Sequence, residues 1–265
     1  AERSLRSYLD ARQALCQPLS IQEVRSLARA LLLAVAGLHA RGFVHLDLKP
    51  ENIMISAGRL KLIDLDGCVP AGEALCLEDV PVSFSPCYCA PEWARSLMNC
   101  WIQSPKSGAI RTTNIEVDPS LDVWSVGMIL YELVTLSVVN QPTFDMFMKK
   151  APGREGALLY LEWLADLEAV PIPEDVARLD AELAEFISSW TLAQHPSGRR
   201  SLADCLSHPL IAGAARELPL LEVTSRQNSN ERDSNASTRG GSIRLDGDQL
   251  AAMKQRFSQK GTMSM

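Results

Sequence analysis

The most informative stretch of this chain is the octapeptide His45-Leu46-Asp47-Leu48-Lys49-Pro50-Glu51-Asn52. Pro50 cannot continue a helix, because it lacks an N–H and its ring clashes with the preceding turn, so these polar residues are predicted to form a loop. Asp64 follows at the end of an apolar strand, Leu60-Lys61-Leu62-Ile63, 12 residues after Asn52. An Asp, a Lys, an Asn and a second Asp are therefore expected to converge where the loop meets the strand end.

These four side chains suit the transfer of a phosphoryl group. The amide oxygen of Asn52 and the carboxylate of Asp64 are hard oxygen ligands of the kind that Mg²⁺ prefers. Asp47 is a candidate to accept the proton of an attacking hydroxyl, and Lys49 is a candidate point charge beside the transferred phosphate. Phosphoryl transfer depends mainly on positioning and charge, so the protein itself needs to form few covalent bonds.

The elements around the loop are predicted from apolar spacing. Ser20-Ile21-Gln22-Glu23 has the form of a capping box, and the apolar steps after it predict an amphipathic helix that ends near Gly42. Residues 53–55 and 60–63, on either side of Ser56-Ala57-Gly58, predict a small hairpin. Residues 67–89 show little periodicity and predict a long surface loop.

Later parts of the chain carry further helical patterns and then a change in composition. The helices are predicted at 123–139, 156–170, 178–190 and 202–206. From residue 212 the composition shifts, and the Ser/Asn/Arg/Gly-rich residues 225–242 are expected to be disordered. Residues 246–257 have the pattern of a short amphipathic helix.

Composition excludes several classes of protein and partner. The formal net charge is −6, from 26 basic and 32 acidic side chains, so neither nucleic acid nor an anionic membrane is expected as a partner. The longest apolar run, at 123–139, contains Glu132 and predicts a buried helix, not a membrane span.

The cysteines indicate where the protein resides. They number seven, without a C-x-x-C pair, which favours reduced thiols and a cytoplasmic, intracellular protein. A targeting or membrane segment upstream of Ala1 is left open. Cys68, four residues after Asp64, is either a reactive thiol beside the metal site or a free buried thiol, and the second reading is preferred.

The octapeptide resembles the catalytic loop of the eukaryotic protein kinase superfamily, whose signature is H-R-D-L-x-x-x-N. Further blocks follow in the order of that family, over residues 4–211. They are Asp64-Leu65-Asp66 for D-F-G, Ala90-Pro91-Glu92 for A-P-E, Asp122-Val123-Trp124-Ser125-Val126-Gly127 for D-x-W-x-x-G, Pro196-Ser197-Gly198-Arg199 for P-x-x-R, and Leu206-Ser207-His208-Pro209 for L-x-H-P. Motifs in register over this length make coincidence improbable.

The resemblance implies a fold and an activity. The fold is mainly α: a kinase-like C-terminal lobe with a small β-hairpin region at 1–211, followed by a low-complexity, largely disordered tail at 212–265. The activity is phosphoryl transfer from ATP, with Mg²⁺, to serine or threonine hydroxyls of a protein substrate. Lys49, within D-L-K-P-E-N, is similar to the serine/threonine branch of the family.

The resemblance also implies roles for single residues. Asp47 is the catalytic base, Asn52 and Asp64 hold Mg²⁺, Lys49 contacts the phosphate, and Met54 forms the apolar floor under adenine. Ser85 matches the residue that bonds the catalytic Asp and Lys, Asp122 matches one that caps the backbone of the catalytic loop, and Glu92 and Arg199 match a buried ion pair.

Three departures from the family pattern matter. Leu46 replaces the Arg of H-R-D, which makes the chain a non-RD member whose activity is not expected to depend on a phosphorylated activation loop. Asp66 replaces the Gly of D-F-G, while Leu65 keeps an apolar side chain; an alternative register with Asp66 at the metal stays open, although Asp64 is preferred. Separately from the three departures, the spacing between Glu92 and Asp122 is longer than is usual in the family, and the function of the inserted residues within 93–121 is unreadable.

The third departure is the largest, because the small lobe of the family is missing. No G-x-G-x-x-G motif occurs, and Lys49 is the first lysine of the chain. We therefore expect the chain to be the large lobe of a serine/threonine kinase and to be inactive, or nearly so, by itself. The alternative is a pseudokinase that acts as an interaction or scaffold module; a small-molecule phosphotransferase is disfavoured by the A-P-E and D-x-W-x-x-G blocks.

Overall fold

The computed structural model describes residues 2–76, 82–102, 114–215, 218 and 243–245. The helices in these ranges are α1 Leu5–Ala14, α2 Ile21–His39, α3 Pro91–Ile102, α4 Ser120–Thr135, α5 Gln141–Lys150, α6 Arg154–Ala165, α7 Glu174–Leu179, α8 Ala181–Glu185, α9 Leu202–Ser207 and α10 Pro209–Ala212. The strands are β1 Arg3–Ser4, β2 Phe43–Val44, β3 Ile53–Ser56, β4 Arg59–Leu62, β5 Val69–Pro70, β6 Ala74–Cys76, β7 Val82–Phe84, β8 Asn114–Glu116 and β9 Ile243–Leu245. The fold is mainly α with small antiparallel strand pairs, which confirms the predicted fold class.

The predicted hairpin is present as β3 and β4. The strands pair antiparallel from Ile53 opposite Leu62 to Ser56 opposite Arg59. Ala57 and Gly58 connect them with φ values of 48° and 70°. Two successive residues with positive φ suit the tight turn whose twist matches that of the flanking strands. Because β1, at the start of the chain, also pairs with β3, the hairpin belongs to a three-stranded sheet in the order β1-β3-β4.

The helix α4 forms the centre of the core. Every side chain from Leu121 to Leu133 is buried, so this helix is apolar on nearly all its faces, as expected for a helix surrounded by protein. Gly127 allows close packing, because an added Cβ would lie 2.5 Å from Thr191 Oγ1. In the described residues, no helix combines the length and the apolar character that a membrane crossing requires.

The helix α2 follows its sequence pattern closely. Ser20 and Glu23 form the predicted capping box: the Ser20 hydroxyl accepts from the Glu23 N–H, and the Glu23 carboxylate accepts from the Ser20 N–H. The helix ends at His39, and Gly42 adopts a φ of 81° that turns the chain into β2. The amphipathic pattern therefore predicted both this helix and its end.

Two predicted helices end earlier than the apolar pattern does, and a third is broken. The central helix stops at Thr135 instead of residue 139, because Leu136 adopts a left-handed conformation with φ 54°. The helix predicted to reach residue 170 ends at Ala165. The helix predicted at 178–190 is wrong as one element: Asp180 is extended and caps α8 by accepting from the Leu183 N–H, and a π-helical turn follows at Phe186–Thr191.

Several helices were not predicted from the sequence. They are α1, α3 and α5, together with α10, which starts directly after α9. Pro91, Pro142 and Pro209 lie in the first turns of three of them, where the missing N–H costs nothing. A proline therefore marks the start of a helix at each of these three positions.

The predicted surface loop at 67–89 is wrong in its second half. Phe84, Cys87 and Tyr88 are buried, and short strands form on either side of the undescribed residues 77–81. Ser125 on α4 donates to the Tyr88 carbonyl at 2.9 Å, so this segment packs on the central helix. The predicted disorder at 225–242, the helix at 246–257 and residues 103–113 of the insertion lie outside the described residues.

An ion pair joins α3 to the late part of the chain. The Arg199 guanidinium, whose side chain is fully buried, donates to Glu92 Oε2 at 2.8 Å and also to the Ser120 carbonyl. This is the pair that the family resemblance implied. A guanidinium in such a place depends on its carboxylate, because charge buried without a partner is costly.

We predict that Glu92→Gln lowers the free energy of unfolding by about 3 kcal/mol, because it leaves Arg199 buried without its counter-charge. Glu174→Gln is the matched control: Glu174 also lies in the first turn of a helix, but its pair with Arg178 is 84% and 75% exposed. That change should cost less than about 0.5 kcal/mol. Urea unfolding measures both, and equal losses would contradict the buried pair's importance.

Candidate functional site

The loop that carries the site is fixed by one buried carboxylate. Asp122, in the first turn of α4, is fully buried. Its Oδ2 accepts from the backbone N–H of His45 at 2.8 Å, and its Oδ1 accepts from that of Leu46 at 3.0 Å. His39, at the end of α2, lies 2.8 Å from the same Oδ2. Asp122 therefore caps the loop backbone, as the resemblance implied.

Two non-glycine residues of the site adopt left-handed conformations. Leu46 has φ 66° and Asp64 has φ 61°. Such residues cost free energy and persist only where their surroundings impose them, and they are common at active sites. At Leu46 the imposing contact is Asp122. At Asp64 it is the preceding residue: Ile63 donates its N–H to the Asn52 carbonyl at 3.0 Å, and its carbonyl accepts from His45 Nε2 at 3.1 Å.

Three buried polar side chains form a closed cluster in the middle of the site. Lys49 Nζ donates to Asp47 Oδ2 at 3.1 Å and to Ser85 Oγ at 2.9 Å. Ser85 Oγ donates in turn to Asp47 Oδ1 at 2.6 Å. These contacts join the loop to a residue 38 positions later, directly after β7. The Asp47 carboxylate is thereby held in one orientation.

Asn52 completes the loop. Its Nδ2 donates to the Asp47 carbonyl at 2.9 Å, which leaves Oδ1 as the atom that can bind a cation. Asp64, the second candidate ligand, is exposed. In the described part of the chain, no group of three or more His, Cys, Asp or Glu side chains is placed to hold a metal ion. An amide oxygen and one carboxylate still fit Mg²⁺, which commonly takes few protein ligands and completes its shell with phosphates and water.

The structure brings three of the predicted site residues into direct contact and links a fourth to them only through the backbone. Asp47, Lys49 and Asn52 are connected by direct hydrogen bonds, whereas Asp64 is attached through the backbone of Ile63. Met54 lies in β3 and is half-buried, on the face of the sheet opposite to Ile53 and Ile55.

The segment after Asp64 has the expected apolar residue, Leu65, but the fold does not bury it. Leu65–Gly67 forms a single 3₁₀ turn that begins directly after Asp64, and Asp66 in that turn is exposed. The apolar side chain of Leu65 is 48% exposed, so it does not pack into the core of this chain.

A second polar network near the site was missed by sequence reasoning. Arg6 of α1 donates to Glu51 Oε1 at 2.9 Å, to Glu132 Oε2 at 3.2 Å and to the Tyr88 hydroxyl at 2.7 Å. The Tyr88 hydroxyl donates to Glu132 Oε2 at 2.6 Å. The one available signal was Glu132, a charge inside an otherwise apolar helix.

The electrostatics of this network keep Arg6 charged and Tyr88 neutral. Burial opposes the charge of Arg6, but Tyr88, Glu132 and Glu51 outweigh it and raise the Arg6 pKa above its usual value. Burial, together with the charge of Glu132, raises the pKa of Tyr88 well above that of a free tyrosine. The network ties α1, the loop at 45–52, the segment after β7 and α4 to one another.

The comparisons with known proteins agree with the motifs. A family model described as "Protein kinase domain" matches residues 2–211. Sperm motility kinase 3A of Mus musculus is 31% identical over 200 residues, which cover 74% of this chain and 32% of that protein. Serine/threonine-protein kinase STE20 of Kluyveromyces lactis is 27% identical over 196 residues, 74% of this chain and 16% of that protein.

A third relative matches a shorter part. Maternal embryonic leucine zipper kinase of Danio rerio is 33% identical over 117 residues, 44% of this chain and 15% of that protein. The chain therefore spans about a third or less of the length of these curated relatives.

Cys68 lies next to the site and is free, like Cys16, Cys87, Cys89 and Cys205. Partial burial, with the negative charges of Asp122, Asp64 and Asp66, raises its pKa to about 11. A thiol with a raised pKa is a poor nucleophile at neutral pH, because the thiolate is the reactive form. The structure therefore favours the unreactive reading of Cys68.

We predict that iodoacetamide modifies Cys68 at pH 8 roughly 100-fold more slowly than a thiol with a pKa near 9. The rate should keep rising up to about pH 11, where the raised pKa places the thiolate. Mass spectrometry of the labelled peptides measures it, with the exposed Cys16 as the internal reference. Labelling of both cysteines at the same rate at pH 8 would contradict the assignment.

Proposed function

The chain belongs to the protein kinase family, and we propose that it is the catalytic large lobe of a serine/threonine kinase that transfers the γ-phosphoryl group of ATP to a protein hydroxyl. The observation that carries this proposal is the cluster of Asp47, Lys49 and Ser85. A carboxylate held by a lysine and a hydroxyl, on a loop whose Asn52 amide is bonded to the same residue, suits phosphoryl transfer better than it suits a purely structural role. The printed name of the STE20 relative, a serine/threonine-protein kinase, and the Lys49 motif support the choice of acceptor.

In this proposal Asp47 accepts the proton of the attacking hydroxyl. Its two oxygens already accept from Ser85 and Lys49, and a carboxylate retains further lone pairs for the substrate hydroxyl. Lys49 has two roles, because its ammonium orients Asp47 and adds positive charge near the transferred phosphate. Positioning of the acceptor is thus a property of residues that the fold already holds together.

The nucleotide and its ion are assigned to neighbouring residues. Asn52, through Oδ1, and Asp64, through its exposed carboxylate, would hold Mg²⁺, and Met54 would contact adenine. When bound, Mg·ATP supplies the phosphoryl group and neutralises the charge on its oxygens. The left-handed backbone of Asp64 is part of the folded chain and does not depend on a bound nucleotide.

The proposal includes regulation and location. The Leu46 side chain is buried and carries no cation, which supports a non-RD kinase whose activity does not depend on phosphate in the activation loop. The free thiols of the described cysteines support an intracellular, cytoplasmic protein. The partners are ATP and a protein substrate.

A pseudokinase is the second candidate, and specific observations favour it. Asp66 stands where the family has glycine, and the sequence has neither a G-x-G-x-x-G motif nor a lysine before Lys49. Thermal unfolding with and without Mg·ATP separates the two candidates. A shift in the full-length parent supports a kinase, whereas partner binding without any nucleotide effect supports a scaffold.

We predict that Asp47→Ala in the full-length parent lowers kcat for phosphorylation of a protein substrate about 10²- to 10⁴-fold, the usual contribution of a positioned base. Transfer of labelled γ-phosphate measures it. The present chain should show no transfer, because its sequence has neither a G-x-G-x-x-G motif nor a lysine before Lys49 to hold the phosphates of ATP. Turnover by this chain, or activity that survives the substitution, would contradict the proposal.

The register of the metal segment has its own test. Asp64→Ala should abolish the Mg²⁺-dependent part of nucleotide binding by the parent, and Asp66→Ala, a matched change two positions away, should leave most of it. Calorimetric titration with and without Mg²⁺ measures both. The reverse result would place Asp66 at the metal.

A further inference from the structure

The tail of the chain contacts the segment beside the catalytic cluster. Of the residues after Leu218, the structure describes Ile243–Leu245, which form β9. This strand pairs antiparallel with β7: Leu245 lies opposite Val82, Arg244 opposite Ser83 and Ile243 opposite Phe84. The strand β9 lies outside residues 2–211, which match the kinase family model, and it pairs with a strand inside that range.

The pairing is functionally important because β7 lies directly before a residue of the polar cluster. The strand ends at Phe84, and the next residue is Ser85, whose hydroxyl donates to Asp47. Phe84 is fully buried, so β7 is anchored in the core. Two residues beyond Phe84, the Pro86 carbonyl accepts from the Tyr160 hydroxyl at 3.1 Å. A strand added to β7 consequently lies beside a rigid segment that leads directly to the proposed base.

The edge of β7 suits an extended peptide. Among the described strands, β9 is the one paired with β7, and no other described strand occupies that edge. Open strand edges bind extended segments through main-chain hydrogen bonds, and such pairing tolerates many sequences. A protein acceptor that presents an extended segment to Asp47 would use the same edge.

We propose that Ile243–Leu245 occupies in cis the strand position on which an extended protein acceptor docks, and that the tail thereby competes with the acceptor. This inference rests on the proposed kinase function for the identity of the competitor, though not for the pairing itself. The contact is an autoinhibitory strand, and its release is what opens the acceptor site.

The length of the contact makes this competition reversible. Three residue pairs form a short ladder, which alone is weak in water. The tether compensates, because a segment joined to its site by a short linker has an effective concentration of the order of millimolar. Here 24 residues, 219–242, separate Leu218 from the strand. An acceptor held by further contacts can therefore displace the tail.

The first experiment measures the pairing without catalysis. Hydrogen exchange of the amides at 82–84 is compared between the full chain, the double variant Ile243→Pro/Leu245→Pro, and the control Ile243→Val/Leu245→Val. Proline removes N–H groups and breaks a ladder, whereas valine favours a strand. We expect exchange at 82–84 to be at least about 10-fold faster in the proline variant and unchanged in the valine control. Equal exchange in all three chains would overturn the pairing.

A peptide of residues 239–249 then tests whether the site is one that an added strand can enter. The fluorescent peptide should bind the proline variant at least about 10-fold more tightly than the unaltered chain, whose own tail fills the site. The same peptide N-methylated at the residues equivalent to 243–245 should not bind. Equal binding to both chains would contradict competition by the tail.

Two further measurements distinguish pairing within one chain from pairing between two copies, and test competition with the acceptor. Protection of 82–84 that rises with protein concentration would show that the tail pairs with a second copy, which overturns the proposal in cis. In the parent, the proline variant should lower the KM of the acceptor peptide and leave the KM of ATP unchanged. Because exchange and peptide binding need no ATP, they remain decisive even if the parent proves to be a pseudokinase.

Discussion

The site depends on the buried carboxylate of Asp122. A fully buried charge is costly unless donors surround it, and here His45, Leu46 and His39 supply them. In return the carboxylate fixes two successive N–H groups of the loop and holds Leu46 in a conformation that a free chain would rarely adopt. Because Asp122 belongs to the most buried of the described helices, its hydrogen bonds attach the loop firmly to the core.

From that anchor the rest of the site follows by short contacts. Asp47 is the residue after Leu46, so its position is set by the capped backbone, and its carboxylate is oriented by Lys49 and Ser85. Ser85 in turn joins the loop to β7, where the tail strand is paired. One continuous set of contacts therefore connects the core, the proposed base and the surface on which we place the acceptor.

The local part of this site could be predicted from the sequence, whereas the long-range part could not. Asp47, Lys49 and Asn52 lie within six residues, and Asp64 follows a hairpin whose turn is explicit in Ala57-Gly58, so their convergence follows from local patterns. The pair of Arg6 and Glu132 spans 126 positions, and no periodicity marks it. The break of a predicted helix at Asp180 was also hidden, because the apolar spacing continues across it while the Asp side chain caps the next helix. The pairing of β9 with β7 joins segments that no sequence motif connects.

Diffraction from the proposed full-length kinase bound to a non-hydrolysable ATP analogue and Mn²⁺, recorded at a wavelength where manganese scatters anomalously, tests the central claim most directly. The account predicts an anomalous peak about 2.0–2.2 Å from both Asn52 Oδ1 and a carboxylate oxygen of Asp64, with the Asp47 carboxylate facing the terminal phosphate. A peak bound by Asp66 instead, or an Asp47 carboxylate that faces away from the nucleotide, would contradict it.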